Sequence, residues 1–183
     1  NNSSDNTREV VESVRSFPVP LRYLFEKEQG RSAALNAGIR AAEGEILAVT
    51  DDDVRVDPKW LINSERALCD LNCDYVGGKA LPIWSGKRPD WLPNRGGKHW
   101  GVIALLDYGP EPMEFGDRVP LGVNMVFRRD AFERAGLWDN SIGRKAGTLL
   151  GQEVREWAQR ARAAGLRGFY SPDLVVHHVI PED

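Results

Sequence analysis

The chain has 183 residues, 42% of them hydrophobic, which is enough for one domain with a core of its own rather than a disulfide-stapled mini-protein. With 24 Lys and Arg against 27 Asp and Glu, net −3, it offers no field that would hold nucleic acid or an anionic membrane unaided. No apolar run approaches the roughly 18 residues of a membrane span, and the polar opening NNSSDNT does not read as a signal peptide, so no transmembrane segment and a cytoplasmic location are expected.

In chain order, TREVVESVRSF places Val10, Val11, Val14 and Phe17 in a helical rhythm that Asp5 or Thr7 would cap. VPLRYLFE follows as a predicted strand. GRSAALNAGIRAAEGE, with Ala33, Ala34, Ala37 and Ala41, predicts a helix that stops at Gly44. EILAVT is a short strand, apolar on successive residues as expected where helices cover both faces of a parallel sheet. PKWLINSERALCDLN predicts a helix with Pro58 at its first position. The four-residue spacing of Cys69 and Cys73 puts them on one face of it as buried free thiols, with no further ligand nearby to complete a metal site. DYVGGKALPI is again a strand.

Residues 82–118 mix Pro, Gly and Trp without a period, and predict a largely irregular, loop-rich insertion within one domain spanning 1–183. VPLGVNMVFRRDAFERAG restores a strand, then a short helix from Asp130. LLGQEVREWAQRARAAG is a helix ended by Gly165, and LRGFYSPDLVVHHVI a closing extended segment. This alternation predicts an α/β open sheet, mixed but mostly parallel, flanked by helices.

Asp51, Asp52 and Asp53 stand just past the EILAVT strand, where open α/β sheets bind ligands. In an extended segment Asp51 and Asp53 point one way and Asp52 the other, so two carboxylates can share one cation. Oxygen ligands suit Mg²⁺ or Mn²⁺, which would also neutralise a bound diphosphate. A solvated turn, with Asp52 or Asp53 capping a helix, explains the triplet equally well. An EF-hand fails, because its sixth place is Val56 and its twelfth Ile62. A haloacid-dehalogenase-like phosphatase using Asp51 and Asp53 is the enzymatic alternative. It needs a later Lys and an acidic pair at another strand end, where this chain has SPDLVVHH.

NNSSDNT, GRSAALNAGIRAAEGEILAVTDDDVRVDPKWL, PLGVNMVFRRDAFERAGLWD and LLGQEVREWAQRARAAG follow one another as do segments of family 2 glycosyltransferases of the GT-A fold. The chain resembles especially the bacterial members ending in YxPDxxVxHxxP, matched by YSPDLVVHHVIP, and the similarity covers nearly its whole length. The resemblance implies a nucleotide-sugar donor, a glycan or glycoconjugate acceptor, and Mg²⁺ or Mn²⁺ held by a DxD motif. Asp51 would lie near ribose or metal, Asp52 beside the nucleotide sugar, and Asp53 on the metal, with His178 as a further metal or diphosphate ligand. Arg31 and Asn36 match the helix that flanks the nucleotide pocket. Asn124 and Gln152 fall on the acceptor side, Gln152 replacing the first acid of the family's acidic pair. Glu153 takes the place of its second acid, the general base of a single, inverting displacement.

Each of these residues also has a plainer reading. Glu153 suits a helix first turn, Arg31 an exposed helix start, Asn124 a loop-holding hydrogen bond, and only one of His177 and His178 can reach the site from an extended strand. Trp84, Trp91 and Trp100 fit sugar stacking as readily as packing of the irregular stretch. The chain begins inside the NxSxDxT motif, so the resemblance implies that the family's first strand is missing. The expectations that follow are an incomplete base pocket, weak or absent activity, and an unpaired strand edge open to homodimer formation. A peripheral place at the inner membrane face and a non-catalytic nucleotide- or sugar-binding module remain open alternatives.

Overall fold

The computed structural model describes residues 2–14, 18–93, 99–143 and 152–182. They divide into two compact units, Asn1–Glu43 with Trp138–Glu153, and Gly44–Leu137 with Val154–Asp183.

The first unit carries helices α1 (Thr7–Ser13) and α2 (Arg31–Ala41). Asp5 accepts from both the Thr7 amide, at 3.1 Å, and the Thr7 hydroxyl, so the acid expected at the helix start is engaged there. α1 buries no residue and stops at Ser13; Phe17 lies outside the described residues. The strand predicted for VPLRYLFE is absent. Residues 18–30 form no ladder, and Val19, Leu21, Leu24 and Phe25 are exposed. Apolar β-formers make a strand only where a neighbouring backbone offers partners. Gly30, at φ 135°, supplies the backbone angle that leads into α2, which ends at Ala41 rather than at Gly44.

In the second unit, six strands among the described residues form one sheet: β1 (Ile46–Val49), β2 (Val54–Val56), β3 (Tyr75–Trp84), β4 (Met113–Glu114), β5 (Met125–Arg128) and β6 (Gly168–Ile180). Their order is β1-β5-β3-β6-β2, with β4 also on β6. The sheet is mixed and open, as expected, but its parallel character is confined to β3–β6. The pairings β1–β5, β3–β5, β2–β6 and β4–β6 are antiparallel, which corrects the mostly parallel sheet read from the βα alternation. Alternation shows that strands and helices take turns; it does not show from which end a strand enters the sheet.

β1 illustrates the consequence. Its one ladder among the described residues is with β5, and Leu47 and Val49 are buried while Ile46 and Ala48 are exposed. An edge strand covered on one face therefore replaces the doubly covered strand expected from its unbroken apolar run.

Helices α3 (Trp60–Asp70) and α4 (Asp130–Ala135) pack on the sheet. α3 starts two residues past Pro58, because Asp57 closes the preceding turn: its carboxylate accepts from Lys59 N and its carbonyl from Trp60 N, both at 2.8 Å. The helix ends before Cys73, so the two cysteines do not share a face. Cys69 is exposed and only Cys73 is buried, its thiol pushed up to about 11 by desolvation.

α5 (Glu153–Ala163) brings Trp157, fully buried, against Tyr75, Phe127 and Phe132, with ring centroids 5.0–5.3 Å apart. Trp157 also donates from Nε1 to Gly136 O at 2.9 Å. Gly165, at φ 73°, follows the helix as read from the sequence. Of its predicted start, Leu149–Gly151 lies outside the described residues.

The stretch 82–118 holds more structure than its composition suggests. β3 continues to Trp84, a 3-10 turn spans Trp100–Ile103, and Leu92, Trp100, Leu105 and Ile180 form a small core. Trp100 is buried there and donates to Pro93 O at 3.1 Å, and Trp84 packs on the same cluster, so both serve the fold. Trp91 is 64% exposed, which leaves it as the one of the three with an open ring.

Candidate nucleotide and metal site

The acidic triplet lies where the chain leaves β1 and reverses into β2. Asp52 and Asp53 form a turn, so the side-chain alternation of an extended segment does not apply to them. Asp51 is half-buried, and Asp52 and Asp53 are exposed. Directly after the turn, β2 pairs antiparallel with β6 in a register that sets Val54 opposite His178, and Asp53 O accepts from Val179 N at 2.9 Å. This register brings His178 Nε2 to 3.1 Å from Asp53 Oδ2. The second ring nitrogen, Nδ1, lies 3.2 Å from Ile103 O.

Which ring nitrogen donates depends on the tautomer, and both oxygens beside the ring can accept. The imidazole side chain is 13% exposed and the carboxylate 54%, which sets the pair at the rim rather than in the core. Among the described residues no group of three or more His, Cys, Asp or Glu side chains is gathered at metal-holding distance. Of the expected set Asp51, Asp53 and His178, two members are brought together. His177 is paired in register with Arg55 and Leu81 and takes no part in the contact.

Asn124 lies within the sheet unit. The residue expected on the acceptor side is fully buried and bonded on every side. Its Oδ1 accepts from Trp60 Nε1 at 2.8 Å, and its Nδ2 donates to Lys79 O at 2.8 Å and Leu174 O at 2.9 Å. These carbonyls flank the place where the β3–β6 register slips, with Gly78 opposite Ser171 and Lys79 opposite Val175. The amide thus holds a bulge in the sheet. Gly78 is needed at this close approach, because a Cβ there would run into the Leu174 carbonyl.

In the first unit, Asn36, expected beside the nucleotide pocket, is buried and hydrogen-bonded. Its Nδ2 donates to Trp138 O at 2.8 Å and to Asn140 Oδ1 at 3.0 Å, while its Oδ1 accepts from Trp138 N at 3.0 Å. The buried amide clasps the chain after α4 instead of facing a nucleotide. Arg31, first residue of α2, lies with Nη1 3.7 Å from Oε1 of Glu153, first residue of α5. The Glu153 side chain is 6% exposed, and among the described residues its Oε2 accepts no hydrogen bond. Gln152, just before it, is exposed.

Ile103, Trp60, Trp138 and Asn140 were not legible as partners of these residues. Three of the contacts run through backbone carbonyls or amides, which carry no residue-type signal; Trp60 and Asn140 were visible in the sequence, but not what they would meet.

The open mixed α/β sheet matches the architecture of GT-A glycosyltransferase structures. The chain matches the profile of Glycosyl transferase family 2 over residues 1–136, and it belongs to that family. It is 29% identical over 168 residues to a Glucosyl-dolichyl phosphate glucuronosyltransferase of Haloferax volcanii, covering 86% of this chain and 50% of the relative. To Glycosyltransferase AglE of the same organism it is 27% identical over 179 residues, covering 97% of this chain and 54% of the relative. The chain therefore spans about half the length of these curated relatives. In structure it is similar to GalNAc-T7, solved with UDP, GalNAc and Mn²⁺, with a TM-score of 0.62 and 17% identity over 86% of this chain and 32% of that one. Among the described residues no helix is long and apolar enough to cross a membrane.

Proposed function

We propose that the chain transfers a sugar from a nucleotide-sugar donor to a glycan or glycoconjugate acceptor, with inversion at the anomeric carbon. The observation that carries this reading is the Asp53–His178 contact, in which an imidazole nitrogen meets a half-exposed carboxylate between two strands at the sheet rim. The donor set, one carboxylate oxygen and one imidazole nitrogen, fits Mn²⁺ better than Mg²⁺, which prefers an all-oxygen octahedron. Asp53 and His178 would hold the ion, and Asp51 would complete the acidic side of the site. When bound, the ion would supply Lewis-acid stabilisation of the departing diphosphate.

Glu153 is assigned the general base. Its carboxylate takes the proton of the acceptor hydroxyl as that oxygen bonds to the anomeric carbon, while the bond from that carbon to the diphosphate oxygen breaks and the nucleotide carries its electron pair away. The proton then passes to solvent. A burial of about nine-tenths or more, with one oxygen not engaged by the described residues, suits a group that must accept a proton. On the acceptor side the exposed Gln152, next to Glu153, is the residue to test first, since Asn124 is bonded within the sheet. The relative named for a glucosyl-dolichyl phosphate acceptor makes lipid-linked sugars the first acceptor class to try. The phosphatase alternative has no support in the family to which the chain belongs.

The test is release of UDP or GDP from UDP-glucose, UDP-glucuronic acid and GDP-mannose with and without Mn²⁺. Mn²⁺-dependent release lost in Asp53→Ala and Glu153→Gln is the expected result. Nucleotide binding with no release from any donor, unchanged by Glu153→Gln, would favour a binding module instead.

A further inference from the structure

We infer that Arg31 is a positioning residue for Glu153 and not a ligand of the donor. This inference rests on the assignment of Glu153 as base. Three contacts along α2 carry it, all within one unit. Asn36 clasps Trp138 and Asn140 by three hydrogen bonds. One turn earlier, a Cβ on Gly143 would strike the hydroxyl of Ser32, itself buried, so the chain after Asn140 lies directly on the first turn of α2. At the start of the helix, the Arg31 guanidinium faces Glu153 Oε1 at 3.7 Å. The helix that holds Trp138, Asn140 and Gly143 thus begins with a cation beside the Glu153 carboxylate.

A carboxylate this deeply buried is costly unless a positive group compensates it. Arginine is suited to the task because its planar fork keeps its charge and holds its direction when partly buried. At 3.7 Å the contact is an ion pair rather than a tight bidentate clamp. Such a contact orients Oε1 toward Arg31 and leaves Oε2 to receive the proton. A ligand of the donor phosphates would instead spend its fork on the diphosphate.

The two roles separate in kinetics with UDP-glucose and GDP-mannose as donors and Mn²⁺ present. Arg31→Met should lower kcat by about thirtyfold or more while the donor KM stays within about threefold, and Arg31→Lys should restore most of the loss. A donor KM raised about tenfold with kcat retained would make Arg31 a donor ligand and overturn the inference. Undiminished turnover in Glu153→Gln would remove the base assignment itself, and the positioning role with it. A urea double-mutant cycle of Arg31→Met and Glu153→Gln reads the pairing without any turnover. Coupling of about fivefold or more in the unfolding equilibrium is expected, and strictly additive losses would overturn the pairing.

Discussion

Two polar clusters in the sheet unit show how differently the fold uses hydrogen-bonding groups. Around Asn124, itself fully buried, each amide atom has found a partner of the right kind: an indole N–H for the oxygen and two carbonyls for the nitrogen. Around His178 the groups meet at the rim, and the ring lies between the Ile103 carbonyl and the Asp53 carboxyl group. The first cluster is complete and serves the fold. The second opens to solvent on the Asp53 side, where the carboxylate is 54% exposed, as a ligand site requires.

Replacing the completed hub should cost the most. Asn124→Leu leaves the Trp60 indole and the Lys79 and Leu174 carbonyls without their partner, at about 1–3 kcal/mol for each buried group. A urea midpoint lowered far enough to leave the chain largely unfolded at room temperature is expected, and a loss below about 1 kcal/mol would mean that the hub is not closed. Gly78→Ala, which drives a methyl group into the Leu174 carbonyl of the same bulge, should destabilise by about 1–3 kcal/mol in the same assay.

Alkaline titration sharpens the contrast between core and rim. Burial raises the Tyr75 hydroxyl to about 12 and the Cys73 thiol to about 11. Both folded-state values lie above the ordinary ones, so the unfolded chain loses these protons first. The corresponding stability is fully present below about pH 9 and is lost as pH rises toward 12, on the order of 2 kcal/mol for Tyr75. Urea midpoints measured across that window should fall steadily, and Tyr75→Phe should flatten the fall.

The smallest effect on stability belongs to the rim. His178→Ala should change the urea midpoint by less than about 1 kcal/mol, because the Asp53 carboxylate it meets is half-open to solvent. A loss as large as that of Asn124→Leu would place His178 in the structural class and erase the comparison.

Much of the architecture was legible because its signals are local. β5 and α4 follow from the apolar run ending at Arg128 and the acid at Asp130, and α5 from its periodicity and Gly165. What failed depends on distant partners. VPLRYLFE has the composition of a strand but no ladder, and the direction of β1 is set by β5, about eighty residues later in the chain. The same division runs through the site. The acids and His178 were visible as residue types at strand ends, and their meeting follows from the β2–β6 register. Asn36 and Asn124 were equally visible, yet a sequence shows an amide without showing what it bonds. Their family positions suggested ligands, and their geometry commits them to Trp138 and to the β3–β6 bulge.

The central claim is that Asp53 and His178 together hold a cation that receives a nucleoside diphosphate. Thermal melting with UDP or GDP, with and without Mn²⁺, addresses it most directly. At a nucleotide concentration about a hundredfold above Kd, Tm should rise by about 5–10 °C only when Mn²⁺ is present, and the rise should vanish in both Asp53→Ala and His178→Ala. Full Mn²⁺-dependent protection persisting in either variant would contradict the account.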